Sequence, residues 1–111
     1  MLSAVNAYLP RKDLPTAFFA DNDLLECHAV QAFKKHGLDI PDDISVIGFD
    51  DRLICRLIEP QLATIAVSQT LFGPTAVDLL VTKLKQPRKQ SLKVDIGTSL
   101  TERDSVRRLS N

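Results

Sequence analysis

Residues 44–51 read ISVIGFDD, and this stretch decides the fold. Its first six residues form a mostly apolar run of strand length, as expected for a strand that is covered on both faces. Similar runs occur at residues 16–20 (TAFFA) and 63–67 (ATIAV). Because doubly covered strands are typical of parallel sheets, these three runs predict a sheet with other elements packed on both of its faces.

Helical patterns lie beside these strands. Residues 1–9 carry apolar side chains at helical spacing, and a second helical pattern runs from Asp23 to Gly37. Asp23 and Glu26 have the spacing of a capping box at the start of this second helix. Gly37 suits the left-handed position that commonly follows the last turn of a helix.

The second half of the chain continues the pattern. A short helix or loop follows the second strand and ends at Pro60, and a longer helix is predicted from Ser68 or Thr70 to about Lys85. Pro74 lies within this longer helix and predicts either a late start or a kink. The predicted buried stripe of the helix consists of Phe72, Ala76, Leu79, Leu80 and Leu84.

The order of the elements predicts the fold class. Residues 91–96 and 98–101 are predicted as further strand pieces, so strands and helices alternate along most of the chain. Such alternation predicts an α/β fold with a mainly parallel sheet flanked by helices. With 111 residues, the chain is expected to form a single domain over residues 1–111.

The composition argues against several classes of function. Fourteen Lys and Arg balance fourteen Asp and Glu, so the net charge is zero and direct contact with DNA is not favoured. No apolar run is long enough to span a bilayer, and residues 1–9 lack the pattern of a signal peptide. Cys27 and Cys55 lack zinc-site spacing, so we expect two reduced thiols, no metal and no cofactor.

Polar clusters follow the first two predicted strands. Asp21, Asn22 and Asp23 come after the first strand, and Asp50 with Asp51 follows the second. If the strands are parallel, both clusters lie at the edge where open α/β sheets bind ligands, and their groups suit sugar hydroxyls or purine-like molecules. Alternatively, Asp23 and Asp50 only cap helices. Asp21 and Asp51 are interpreted as solvated neighbours.

An enzymatic role has little support in the sequence. Carboxylates at Asp23 and Asp50 could do acid–base work in an enzyme of flavodoxin-like topology, but no nucleophile or metal-ligand motif accompanies them. His28 and His36 lie on a predicted helix away from the strand ends, and no phosphate-binding glycine motif is present. The sequence therefore favours a binding module over an enzyme.

Four stretches together resemble LacI/GalR-type bacterial transcriptional regulators. Residues 15–23 (PTAFFADND) resemble a strand and turn of that family, and residues 37–51 (GLDIPDDISVIGFDD) resemble its most specific stretch. Residues 60–65 (PQLATI) and 98–106 (TSLTERDSV) resemble two weaker motifs, in family order and with family spacing. The resemblance covers about residues 13–106.

This resemblance implies the C-terminal lobe of a periplasmic-binding-protein-like type I fold, in which two α/β lobes clasp a small effector. The chain is then a partial domain, and the DNA-binding head and most of the first lobe are expected to be absent. The implied function is to bind an effector, such as a sugar, that controls operator binding by a cytoplasmic full-length regulator. A fragment of an extracytoplasmic sugar-binding transport protein of the same fold is the alternative.

The resemblance also implies roles for individual residues. It assigns effector contacts to Asn22, Asp23 and Asp50. Val67 stands where the family commonly has a polar residue, so Ser68 and Gln69 are possible substitutes. The family forms dimers through this lobe, and the residues expected at a homodimer interface are Leu24, Cys27, His28, Ile54, Cys55, Leu57 and Ile58.

Overall fold

The computed structural model describes residues 2–87 and 90–110 of the chain. Within these ranges, four helices and four strands follow one another in the predicted order. They are α1 (Leu2–Tyr8), β1 (Ala17–Phe19), α2 (Asp23–Lys35), β2 (Ser45–Asp50), α3 (Ile54–Leu57), β3 (Ala63–Val67), α4 (Gln69–Lys85) and β4 (Thr98–Thr101).

The chain forms two compact units. The first contains the described residues up to Ala66 together with those from Leu100 onwards, and the second is Val67–Ser99. The first unit therefore holds the helices α1 to α3 and the parallel strands, whereas α4 belongs to the second. The single partial domain over residues 1–111 stays a prediction.

The first unit is built on a parallel sheet, as predicted. β1 pairs in parallel with β2, β2 pairs in parallel with β3, and the order across the sheet is β1-β2-β3-β4. In the register of these pairs, Phe19 lies opposite Ile47 and Asp50 lies opposite Ala66. Because these strands run in the same direction, their carboxyl ends meet at one edge of the sheet.

The core of the first unit joins α2 to the sheet. Val30 and Phe33 of α2 are almost fully buried with Ile44, Val46 and Leu62 from the strands and their flanks. The three-residue spacing between Val30 and Phe33 puts both side chains on the same face of the helix. Burying apolar side chains of this size contributes roughly 1.5–3 kcal/mol each, which fixes α2 on the sheet.

Both ends of α2 are closed by local geometry. Asn22 is the N-cap, and its Oδ1 accepts a hydrogen bond from the backbone N–H of Leu25 at 3.0 Å. The predicted capping box between Asp23 and Glu26 is therefore wrong, because Asp23 is already the first helical residue. Gly37 follows the helix with a φ of 78°, as predicted for a left-handed residue at this end.

The second unit corrects three predictions. α4 begins at Gln69 with Pro74 inside the helix, so of the two predicted alternatives the late start is wrong and the kink stays a prediction. No residue of α4 is buried, so the predicted buried stripe is wrong. Two of its members, Phe72 and Leu84, are 60% and 72% exposed. The second unit contains too few residues outside α4 to cover a helix of 17 residues. Residues 91–96 form no strand.

None of the described helices, α4 included, is long and apolar enough to cross a membrane.

The close approach of α2 to β2 requires a glycine at position 48. Gly48 is a buried residue of β2, and a Cβ atom added there would lie 2.3 Å from Oε2 of Glu26 and 2.8 Å from Oδ1 of Asp23. Both carboxyl groups belong to fully buried side chains, so neither has free space to move into. A side chain at position 48 would therefore push α2 away from the sheet.

We predict that Gly48→Ala lowers the free energy of unfolding by about 1–3 kcal/mol, because the added methyl group overpacks this contact. Gly73→Ala is the matched control, since a Cβ at Gly73 meets no other element within 4 Å and alanine favours a helix. Urea denaturation followed by circular dichroism measures both variants. A Gly48→Ala chain as stable as the wild type would contradict the close approach.

Candidate functional site

Asn22 and Asp50 lie at the same edge of the sheet. Phe19 of β1 is opposite Ile47 of β2, and Asn22 and Asp50 each follow these paired residues by three positions. Neighbouring strands are roughly 4.8 Å apart, so both residues lie near the carboxyl ends of adjacent strands. Both are half-buried and therefore reach solvent from a defined position.

Asn22 combines a capping role with free polar capacity. Its Oδ1 caps α2 through the backbone N–H of Leu25, whereas the two N–H donors of its side-chain amide take no part in this cap. The backbone N–H groups of the first turn of α2 add a partial positive charge beside it. This environment favours an electron-rich ligand group, such as a hydroxyl or carbonyl oxygen, next to Asn22.

Asp50 belongs to a strained turn that is held by several contacts. Asp50 and Asp51 have φ angles of 110° and 56°, a region that residues with a Cβ rarely adopt. Arg103 donates from Nη2 to Oδ1 of Asp51 at 2.6 Å and from Nη1 to the carbonyl of Leu62 at 2.7 Å. The N–H of Asp51 also donates to Oγ1 of Thr64 at 3.4 Å. Asp51 is thus a structural partner of Arg103, and its interpretation as a solvated neighbour is wrong.

Asp23 is fully buried and ties three elements together. Its Oδ1 accepts a hydrogen bond from Oγ1 of Thr64 at 2.5 Å, and its Oδ2 accepts one from the backbone N–H of Arg52 at 2.6 Å. The carboxylate therefore joins the start of α2 to β3 and to the turn after β2. This burial argues against the predicted direct contact between Asp23 and an effector, because reaching a ligand would break both bonds.

Ser68 and Gln69 lie at the start of α4, in the second unit. Ser68 is the half-buried N-cap residue, and its hydroxyl is 3.2 Å from that of Thr70 without capping the helix. Gln69 is the first helical residue and is exposed. Both side chains have polar groups that are free of the helix backbone, and their contact with an effector stays a prediction.

A buried cluster that includes Asp23 was not predicted from the sequence. Asp23, Glu26 and Cys55 are fully buried, and one oxygen or sulfur atom of each lies within 4.8 Å of the others. Glu26 follows Asp23 by three residues, so both occupy one face of α2. A signal was present in the sequence, because Glu26 shares its helical spacing with the buried Val30 and Phe33.

The buried carboxyl group of Glu26 makes few hydrogen bonds. Its Oε2 has no hydrogen-bond partner among the described residues. Its Oε1 is 3.5 Å from the hydroxyl of Ser105, which donates more closely to the carbonyl of Val46 at 2.7 Å. Burial, and then the nearby Asp23, raise the pKa of Glu26 to about 8. Burial, then a side-chain hydrogen bond with Asp23 and then the charges of Asp23 and Glu26 raise the pKa of the Cys55 thiol to about 12.

The predicted interface residues divide into two groups. The exposed members are Leu24, His28 and Leu57, and the half-buried members are Ile54 and Ile58. Cys27 and Cys55 are instead free thiols of the core, with exposures of 7% and 0%. Their predicted contact with a partner chain is corrected, because side chains buried inside one chain offer no surface to another.

An apolar cavity of about 360 Å³ lies beside β1, away from the strained turn. It is bounded by α1, β1 and α2, and its walls include Val5, Phe18 and Leu25. Asp21 is the only charged residue among its lining residues. Such a lining offers few partners for hydroxyl groups, so the polar edge formed by Asn22 and Asp50 is the stronger candidate for a hydrophilic ligand.

The family of periplasmic binding protein-like domains matches residues 2–106. The chain belongs to this family. The HTH-type transcriptional repressor PurR of Photobacterium profundum is 33% identical to it over 98% of the chain. The chain spans 33% of the length of that repressor, so it corresponds to about a third of such a protein.

Solved structures of LacI family transcriptional regulators share the fold. The regulator of Arthrobacter sp. FB24 in complex with lactose has a TM-score of 0.83 and 31% identity, over 96% of this chain and 40% of its own. The regulator of Enterococcus faecium with bound ribose has a TM-score of 0.79 and 30% identity, over 95% of this chain and 39% of its own. The predicted resemblance to LacI/GalR-type regulators and the predicted fold class are confirmed.

We predict that Glu26 makes the stability of the metal-free chain fall as the pH rises from about 5 to about 8. Its pKa lies near 8 in the folded chain and near 4.5 when exposed, so the folded state holds a proton that the unfolded state releases within this window. Asp23 opposes ionisation of Glu26, and Arg103 and Ser105 favour it. Urea denaturation in chelator-containing buffers at several pH values measures the effect.

Glu26→Gln is expected to flatten this pH dependence, because glutamine does not titrate. Glu59→Gln is the matched control, since Glu59 is exposed, and it should leave the slope unchanged. An unaltered slope in Glu26→Gln would mean that another group causes the fall in stability.

Proposed function

We propose that this chain forms one wall of the effector site of a LacI/GalR-type transcriptional regulator, and that the effector is a sugar. The observation that carries the proposal is the position of Asn22 and Asp50 at the carboxyl ends of two adjacent parallel strands. A carboxylate accepts hydrogen bonds and an amide both donates and accepts, which matches the hydroxyl groups of a sugar. The relatives whose structures hold lactose and ribose support the same ligand class.

The residues of the edge divide into contacting and positioning groups. Asn22 and Asp50 contact the sugar, because both reach solvent at the ends of their strands. Asp23 and Arg103 hold the two turns through buried or half-buried hydrogen bonds and do not touch the ligand.

The regulator acts by converting ligand binding into a change of DNA affinity. The effector site needs a second wall from another part of the full-length cytoplasmic protein, and operator DNA is bound by a segment outside this chain. The zero net charge of the chain agrees with this division, since phosphate contacts need a positive surface. A sugar that prefers one arrangement of the lobes shifts the population of DNA-binding states.

A homodimer is the second part of the proposal. α2 packs against α3, and their exposed side chains Leu24, His28, Leu53 and Leu57 present an apolar surface with one imidazole. Leu53 and Leu57 are 61% and 68% exposed, which is costly for leucine side chains in water. Covering this α2–α3 surface with a second copy of the chain removes that cost.

We predict that Asp50→Asn in the full-length protein weakens sugar binding at least about tenfold, since a hydrogen bond to a charged group contributes roughly 1.5–3 kcal/mol. A thermal-shift screen of sugars, sugar phosphates and purines identifies the ligand, and titration calorimetry measures the affinities. Asp42→Asn is the matched control, because Asp42 is exposed and precedes β2 at the opposite edge of the sheet. Binding of purines alone would overturn the sugar class, and wild-type affinity in Asp50→Asn would overturn the site.

We also predict that Leu57→Asp weakens self-association at least about tenfold, because a charge would be buried in an apolar contact. Sedimentation velocity over a range of concentrations measures the effect. Leu109→Asp is the matched control, since Leu109 is an exposed leucine of the C-terminal segment. A wild-type chain that sediments as a monomer at every concentration would contradict the dimer.

A further inference from the structure

The cluster of Asp23, Glu26 and Cys55 combines three donor groups with one unmet bonding requirement. The donor atoms come from the first turn of α2 and from α3, and all lie within 4.8 Å of one another inside the protein. Oε2 of Glu26 has no partner in the described part of the chain. Oε2 of Glu26 and Oδ1 of Asp23 both approach the same point beside Gly48, so the orphaned oxygen lies close to another donor atom of the cluster.

We propose that Asp23, Glu26 and Cys55 bind a divalent transition-metal ion of the zinc type. Two carboxylate oxygens and one thiolate sulfur are a ligand set that Zn²⁺ and Co²⁺ accept in tetrahedral geometry, with a water molecule as the fourth ligand. Mg²⁺ and Ca²⁺ take oxygen ligands in larger numbers and do not favour sulfur. The donor set therefore selects a borderline metal over the hard cations.

A cation satisfies this cluster better than a proton does. A proton placed on Oε2 of Glu26 needs an acceptor, and a proton placed on Oε1 leaves Oε2 as an acceptor without a donor. The described residues supply neither partner. A metal ion bonds Oε2 directly, and thereby removes the cost of a buried polar atom without a partner.

Charge and access are also compatible with a metal ion. Asp23, Glu26 and the Cys55 thiolate bring negative charge into the interior, and Arg103 is the positively charged group that acts on both Glu26 and Cys55. A dication offsets the remaining negative charge, and its binding releases the proton of the Cys55 thiol and the proton of Glu26 to solvent. α3 has only four residues and no side-chain N-cap, so local opening of this turn gives the ion a route.

The proposed ion would strengthen the sheet edge. It would bond Asp23 and Glu26 of α2 to Cys55 of α3, and Asp23 already holds the turn after β2 through Arg52. The ligands are spread over two helices and do not form a short zinc motif, which is why the sequence predicts no metal site. The inference does not depend on the identity of the effector.

Titration of the chelator-treated chain with Co²⁺ tests the proposal. A Co²⁺–thiolate bond gives a charge-transfer band in the near ultraviolet, and Zn²⁺ should displace the cobalt and raise the melting temperature of the chain. We expect Cys55→Ser to lose the band. Glu26→Gln should weaken Co²⁺ binding at least about tenfold, as removal of groups from a metal site commonly does.

Cys27→Ser is the matched control, because Cys27 is the other buried thiol and is expected to keep the band. Circular dichroism of each variant establishes that it is folded, and Glu26→Gln preserves the shape of the side chain. A wild-type chain with neither a cobalt band nor a shift in melting temperature with Zn²⁺ would overturn the proposal. A band that persists in Cys55→Ser would overturn it as well.

Discussion

One buried carboxylate joins the chain segments at the edge of the sheet where the parallel strands end. Asp23 accepts a hydrogen bond from the side chain of Thr64 in β3 and another from the backbone N–H of Arg52 after β2. Since the side chain is fully buried, both bonds lie in a low-dielectric interior, where they are strong when made and costly when lost. Three separate stretches of chain thereby acquire one fixed geometry at the ends of the strands.

The strained turn after β2 depends on this arrangement. Left-handed backbone at Asp50 and Asp51 costs on the order of 1–3 kcal/mol for each residue. The ion pair between Arg103 and Asp51, whose side chains are 11% and 28% exposed, offsets part of that cost because water screens it little. Arg103 also binds the carbonyl of Leu62, which anchors the C-terminal segment to the start of β3. The turn is therefore rigid, and a rigid turn places Asp50 in a constant position.

The sequence predicted the edge better than it predicted the roles at that edge. Apolar runs followed by polar residues locate Asn22 and Asp50, because parallel strands bring their carboxyl ends together whatever the details of packing. Direction and burial of a side chain depend on neighbours distant in sequence. The local sequence does not distinguish the exposed Asp21 from the buried Asp23, because the burial of Asp23 depends on its contact with the distant Thr64. Cys55 likewise lies in an apolar segment that suits a surface or a core equally well, and only the packing of α3 on α2 decides between them.

Asp23 takes part both in the hydrogen bonds that hold the turn after β2 and in the cluster with Glu26 and Cys55. Glu26 belongs to α2 and Cys55 to α3, and these two helices also carry the exposed side chains of Leu24 and Leu57. A change in the charge of this cluster would therefore act on Asp23 and, through the hydrogen bond from the backbone N–H of Arg52, on the turn. Packed and hydrogen-bonded groups of this kind are one way in which coupling between sites is carried. Asp23 is the side chain that the turn and the cluster share, so the proposed metal ion and the geometry of the turn would act on each other through it.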